Sequence, residues 1–147
     1  MSDLDTAIKL AVDAHAGQTD KAGQPDKAGQ PYILHPLRVM LTLESETARI
    51  VGVLHDVVED TGVSHADILA IFGEEVHAAV FAVSRQEGED YFDFVRRAIS
   101  NSIARQVKIA DLRDNMDVSR ALPDDEKNRA RLEKYRKAMA IIEETGV

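Results

Sequence analysis

His55 and Asp56 stand side by side in "LHDVVEDT", at the end of a stretch that is apolar almost all round. A charged Asp in such a segment is costly unless something compensates for it. Glu59 lies one helical turn after His55 and Asp60 one turn after Asp56, so four polar groups share one patch of helix surface. Two readings fit that patch: a helix C-terminus with solvated acids, ended by Thr61 and Gly62, or a chemical site. The segment "VKIADLRDN", from Val107 to Asn115, repeats the anomaly. Val107, Ile109, Ala110 and Leu112 argue for a buried helix, yet Asp111 falls in its midst with Asn115 one turn on. A lone buried Asp is usually an internal cap or a salt-bridge partner. With His35 of "YILHP" added, two imidazoles and two carboxylates come from three helices, a donor set suited to a divalent transition metal.

The elements that must position these groups are helical. Leu4, Ile8, Ala11 and Val12 recur at spacings of three and four, which predicts a first amphipathic helix ending near Gly17. Gly17, Gly23, Pro25, Gly29 and Pro31 then mark one long polar loop, in which the hexapeptide "DKAGQP" is written twice between Asp20 and Pro31. A second helix is expected from Ile33 to Leu43, with Pro36 tolerated in its first turn. A third, apolar on most sides and therefore central, covers Glu46 to Asp60. Ser64 caps a short helix reaching Phe72, and another follows from Glu74 to Ser84. After the turn "QEGED" come Tyr91 to Ile99 and Ser102 to Met116, and Pro123 opens a charged last helix ending near Gly146. Alternating strand patterns are absent. The expected fold class is all-α, a single helical bundle with a metal site between central helices.

The chain has 147 residues, enough for one domain with a real core, and its 44% apolar and 30% charged residues are those of an ordinary globular protein. No apolar run approaches membrane-spanning length, and the acidic start "MSDLDTA" is no signal peptide. With no cysteine there are no disulfides and no thiolate metal sites. These features favour the cytoplasm. Lys and Arg total 18 against 26 Asp and Glu, a net charge of −8, the wrong balance for a protein that binds the nucleic-acid backbone. A polyanionic small molecule can still be handled where a metal ion and a few basic side chains are placed locally.

In chain order, His35, the His55–Asp56 pair and Asp111 form an H…HD…D pattern, and the chain resembles the HD-domain metal-dependent phosphohydrolases. The flanking words narrow this. "AHAGQTDKAGQPYILHPLRV" (less one hexapeptide), "VGVLHDVVEDT", "FGEEV", Tyr91-Phe92-Asp93-Phe94 and "VKIADLRDNMD" are similar to the hydrolase domain of the RelA/SpoT alarmone family, and in particular to its small stand-alone hydrolases. The resemblance covers about Leu4 to Arg120. It implies one HD-type hydrolase domain over 1–147 that removes the 3′-pyrophosphate of guanosine tetra- and pentaphosphate with manganese. It further implies His35, His55, Asp56 and Asp111 as metal ligands, Glu59 and Asp60 as the catalytic acidic pair of "HDxxED", and Asn115 near the nucleoside.

Those roles make chemical sense. A divalent ion lowers the pKa of water and polarises a phosphoryl oxygen, and a carboxylate one turn from a ligand is placed to take the water's proton. The substrate's remaining negative charge calls for basic groups: Lys21 or Lys27 in the loop, Arg38, and Lys108. Arg38 and Lys108 could equally be solvated surface charges, and Tyr91 a packed aromatic at a helix start. His15 reads as a structural residue, and His65 and His77 as surface residues. Asp114 departs from the long family members, which commonly carry His there; one residue from Asn115, it is rotated roughly 100° about the helix and is expected to point away from the cleft. Two other functions fit the same residues: a phosphohydrolase acting on another nucleotide, such as NADPH or a nucleoside monophosphate, and a non-catalytic metal or nucleotide sensor. The loop needs one hexapeptide, so the second is expected to be spare for folding.

Overall fold

The computed structural model describes residues 2–18, 30–120 and 124–145. The regular elements among them are helices: α1 (Asp3–Ala14), α2 (Leu34–Leu41), α3 (Glu46–Leu54), α4 (Val57–Asp60), α5 (His65–Phe72), α6 (Glu74–Ala82), α7 (Tyr91–Ala98), α8 (Ser102–Arg120) and α9 (Glu126–Thr145). No helix is long and apolar enough to cross a membrane among the described residues.

Local chemistry starts most of them. Ser2 and Asp5 form a reciprocal capping box at α1, and Ser64 and Asp67 form another at α5, the N-cap expected from the sequence. Ser45 caps α3 through the Ala48 N–H, and Asp90 accepts from Phe92 and Asp93 at the start of α7. Gly73 joins α5 to α6 at φ +92°, a conformation that side chains with a Cβ rarely adopt.

The centre is α3, with Ala48, Ile50, Val51, Gly52, Val53 and Leu54 all buried. It packs against α1, α2, α6 and α8. Gly52 permits the close approach of α2, since a Cβ there would come 2.7 Å from Leu43 Cδ1. A second cluster, Val95, Leu112, Tyr135, Ala138 and Ile142, joins α7, α8 and α9.

The structure corrects the expected Glu46–Asp60 helix. α3 stops at Leu54, His55 and Asp56 form a turn, and α4 starts at Val57. The His55 ring takes the Gly52 carbonyl at 2.6 Å, while its backbone N–H is 3.5 Å from the same oxygen. A side chain that competes for a backbone acceptor loosens the helical ladder. α2 is shorter than expected, and α8 extends beyond Met116 to Arg120. Pro123 lies outside the described residues; α9 begins at Glu126, with Asp125 accepting from the Asn128 N–H at 2.8 Å.

Candidate metal and active site

His35 comes from the first turn of α2, His55 and Asp56 from the break between α3 and α4, and Asp111 from the middle of α8. They are 7%, 3%, 6% and 7% exposed, and they converge. Nε2 of His35 lies 2.9 Å from Asp111 Oδ1 and 3.9 Å from Asp56 Oδ2. Nε2 of His55 lies 3.1 Å from Asp56 Oδ2 and 3.3 Å from Asp111 Oδ1. The break in the helix is what turns the His55 ring and the Asp56 carboxylate toward the same point as the other two.

Each imidazole is held from behind. His55 Nδ1 donates to the Gly52 carbonyl, and His35 Nδ1 donates to Asp114 Oδ2 at 2.6 Å. Neither acceptor has a proton to offer, so a neutral ring with its hydrogen on Nδ1 satisfies both contacts and leaves each Nε2 a lone pair toward the carboxylates. Nε2 of His55 is buried with no hydrogen-bond partner. Two lone pairs facing two carboxylates need a cation among them, either protons on the rings or a metal. Burial disfavours charge on His55, but Asp56 and Asp111 outweigh it and raise its pKa well above the ordinary value. Burial also opposes ionisation of Asp111, whereas Lys108, His35 and His55 hold its pKa far down. His35, His55 and Asp111 offer ligand atoms within 4.8 Å of one another, and these donor types fit a divalent transition ion.

The cluster lines a cavity of about 210 Å³ whose other walls include Glu59, Arg85, Tyr91, Phe94, Lys134 and Tyr135. Of the expected acidic pair, Glu59 lines this cavity and accepts the Arg85 backbone N–H at 2.5 Å. Asp60 is not among the lining residues; its carbonyl accepts from the Gln18 amide at 3.0 Å. Asn115 lines the cavity and donates to Asp111 Oδ1 at 3.1 Å.

Lys108 is buried, which overturns its reading as a surface charge. Its ammonium is 3.1 Å from Asp111 Oδ2 and lies over the rings of Phe94 and Tyr91, at 4.9 and 5.3 Å. Burial alone would lower its pKa, but Asp111 raises it above the ordinary lysine range. Arg38 also lines the cavity, yet its guanidinium is engaged by both oxygens of Asp114 at 2.8 and 3.0 Å. Lys21 and Lys27 lie outside the described residues. Tyr91 is both a helix start and a cavity wall.

Several contributors escaped the sequence reading. Tyr32 donates its hydroxyl to Asp56, and its position one turn before His35 was the available signal. Asp114 stays off the cavity lining, as its rotation suggested, but it backs His35, and its pKa is about 2 because His35 and Arg38 outweigh the cost of burial. Lys134, whose Nζ lies 4.6 Å above the Tyr91 ring, and Tyr135 come from α9, with no local motif to announce them. His15 is buried beside Tyr32, with Nδ1 2.8 Å from Gln18 Oε1, as a structural residue would be. His65 and His77 are half-buried rather than exposed, with ring centroids 5.6 Å apart and both against Phe81.

The chain matches no family model. It is 32% identical over 136 residues to a guanosine-3′,5′-bis(diphosphate) 3′-pyrophosphohydrolase of Vibrio cholerae, a match spanning 82% of this chain and 18% of that protein. It is 30% identical over 139 residues to the bifunctional (p)ppGpp synthase/hydrolase SpoT of Escherichia coli K12, spanning 84% and 19%. A probable enzyme of the first type from Mycoplasma pneumoniae is 42% identical over 63 residues, spanning 40% and 8%. The chain thus spans less than a fifth of the length of these relatives. A solved structure of a metazoan ortholog of SpoT, described as hydrolysing ppGpp, aligns with a TM-score of 0.77 and 23% identity over 97% of this chain and 85% of that one. The fold is therefore the all-α HD-domain arrangement, and the chain belongs to the SpoT-type HD-domain family of alarmone hydrolases.

Proposed function

We propose that this chain is a metal-dependent hydrolase of the 3′-pyrophosphate of ppGpp and pppGpp, that its four convergent residues are the ligands, and that manganese is the working ion. The carrying observation is the meeting of two imidazole Nε2 atoms with two buried carboxylates, one of those nitrogens having no hydrogen-bond partner. His35, His55, Asp56 and Asp111 would hold the ion, whose charge offsets the two carboxylates. A divalent cation, when bound, supplies Lewis acidity toward a phosphoryl oxygen and toward water.

The chain's own groups do the rest. Glu59, fixed through one oxygen by the Arg85 N–H, orients the attacking water and takes its proton. Asp60, its neighbour, supports it. Attack on the phosphorus joined to O3′ breaks that P–O bond; the ribose oxygen gains a proton, and pyrophosphate departs. Arg85, Lys108 and Lys134 give the cavity wall the positive charge that a polyphosphate requires, with Lys21 and Lys27 of the loop as further contacts. The Asn115 amide meets the ribose or base. We infer that the activity is cytoplasmic and that residues 1–147 work as one hydrolase domain, a reading that a nucleotide substrate supports.

The test is to incubate the protein with manganese and ppGpp and to quantify GDP and pyrophosphate, with Asp56→Ala as control. Both products, lost in the variant, are the expected result. No turnover by a protein that binds manganese sinks the substrate assignment. A panel including NADPH and nucleoside monophosphates then identifies the alternative.

A further inference from the structure

The two nitrogens of His35 meet two acids presented one turn apart by the same helix. Asp111 of α8 faces Nε2 at 2.9 Å, and Asp114, three residues on, faces Nδ1 at 2.6 Å. Asp114 is itself held. Arg38, one turn after His35 on α2, donates from Nε to Oδ1 at 2.8 Å and from Nη2 to Oδ2 at 3.0 Å. This fork fixes both carboxylate oxygens in one plane, as bidentate pairs do. The Asp114 side chain is only 15% exposed, against 41% for Arg38, so the acid belongs to the interior side of the pair.

A neutral imidazole carries one hydrogen, and its other neighbour decides where. If that hydrogen were on Nε2 it would point at Asp111 and block the lone pair a metal needs. Both neighbours are carboxylates that accept a proton and have none to offer, so the nearer decides: Asp114 Oδ2 stands 2.6 Å from Nδ1, whereas Asp111 Oδ1 stands 2.9 Å from Nε2 and already accepts from the Asn115 amide at 3.1 Å. We propose that Asp114 is a positioning residue: clamped by Arg38, it holds His35 in the Nδ1–H tautomer with Nε2 directed into the metal site. The inference rests on the reading of His35 as a ligand. It assigns a use to the acid that stands where long family members commonly have His, and it makes Arg38 part of the site's scaffold.

The experiment measures manganese affinity by calorimetry on the full chain for wild type, His35→Ala, Asp114→Ala, Asp114→Asn and Arg38→Met. Nitrogen-detected imidazole spectra of the metal-free proteins at alkaline pH report the His35 tautomer. Loss of a group that orients a metal-ligating histidine typically weakens affinity about 10- to 100-fold. That is the loss expected for Asp114→Ala, together with a His35 spectrum showing a mixture of tautomers. Arg38→Met is expected to lose less, since it frees the carboxylate without removing it. Asp114→Asn keeps the shape and serves if the alanine variant does not fold. If His35→Ala leaves affinity unchanged, the ligand reading fails and the inference with it. If His35→Ala abolishes binding while both Asp114 variants bind within about twofold of wild type and keep the Nδ1–H spectrum, the inference alone is overturned.

Discussion

The His55 ring turns Nδ1 to the carbonyl oxygen of Gly52, 2.6 Å away, at the point where α3 stops. One contact thus ends a buried helix and aims Nε2 at Asp56 and Asp111, 3.1 and 3.3 Å away. A continuous helix through Asp60 would keep the carbonyls of this turn inside the ladder and give the ring no such acceptor. The break is therefore the local structural cause of the site, and the two residues that form it are His55 and Asp56 themselves.

That juxtaposition fixes a pH dependence. Burial lowers the pKa of both histidines, but Asp111 and Asp114 raise His35, and Asp56 and Asp111 raise His55, to net values above 6.5. A group raised on folding stabilises the fold fully below its unfolded pKa and loses that contribution as pH climbs through the folded one. The metal-free protein is thus expected to lose stability from about pH 6.5 upward. Asp111 runs the other way: its depressed pKa stabilises above about 3.8 and is lost in acid. Metal must displace the imidazole protons, so the gain from manganese should grow with pH. Thermal melts at pH 6 and pH 8, with and without manganese, check both signs. A gain that is equal at the two pH values, or a metal-free melting temperature that rises between them, is the contrary result.

Lys108 and Asp111 form a buried pair at 3.1 Å, and breaking one partner of such a pair leaves an uncompensated charge. Lys108→Met should cost the metal-free protein about 3 kcal/mol. Asp111 also faces the two histidines, so an ion held there would replace part of the lost compensation. Saturating manganese should therefore shrink the deficit. Urea unfolding of both proteins in both conditions measures it; a deficit that metal leaves unchanged argues that Asp111 does not face a bound ion.

Of the acidic pair, only Glu59 lines the cavity, and the Arg85 N–H already aims its carboxylate. Glu59→Gln is expected to lower kcat by about 10²- to 10⁴-fold, the usual worth of a general base, with manganese affinity unchanged. Asp60→Asn should cost less. Steady-state rates beside metal titrations decide it, and a larger loss at Asp60 reverses the ranking.

How much of this was legible follows from where each signal lies. His35, His55, Asp56 and Asp111 stood out because a polar group inside an apolar helical pattern demands an explanation within its own segment. The helix bounds were less legible. Nothing in the periodicity of "ARIVGVLHDVV" shows that the His55 ring will take a carbonyl from its own helix. Lys108 stayed undecided between cavity and surface because its neighbours across the fold, Tyr91 and Phe94, decide its burial. Lys134 and Tyr135 reach the cavity only because α9 packs on α7 and α8, a tertiary fact with no local trace. Asp114 lay in plain view, but its use depends on which side of His35 faces α8.

The doubled hexapeptide can be tested against the frame that holds its ends. The Tyr32 N–H donates to the Gln18 carbonyl at 3.0 Å, so the chain leaves and returns at one point. A loop closed on itself in this way tolerates either length, because halving it changes the closure free energy by only about 0.6 kcal/mol. Deleting Asp20 to Pro25 leaves one copy in register with Tyr32 and His35, and is expected to hold the melting temperature within about 3 °C. Activity is the sharper readout. Lys27 still precedes Pro31 in the sequence while Lys21 is removed, so turnover should survive if Lys27 is the loop's phosphate contact. A folded deletion variant with normal manganese binding and no turnover would show instead that the first copy supplies that contact.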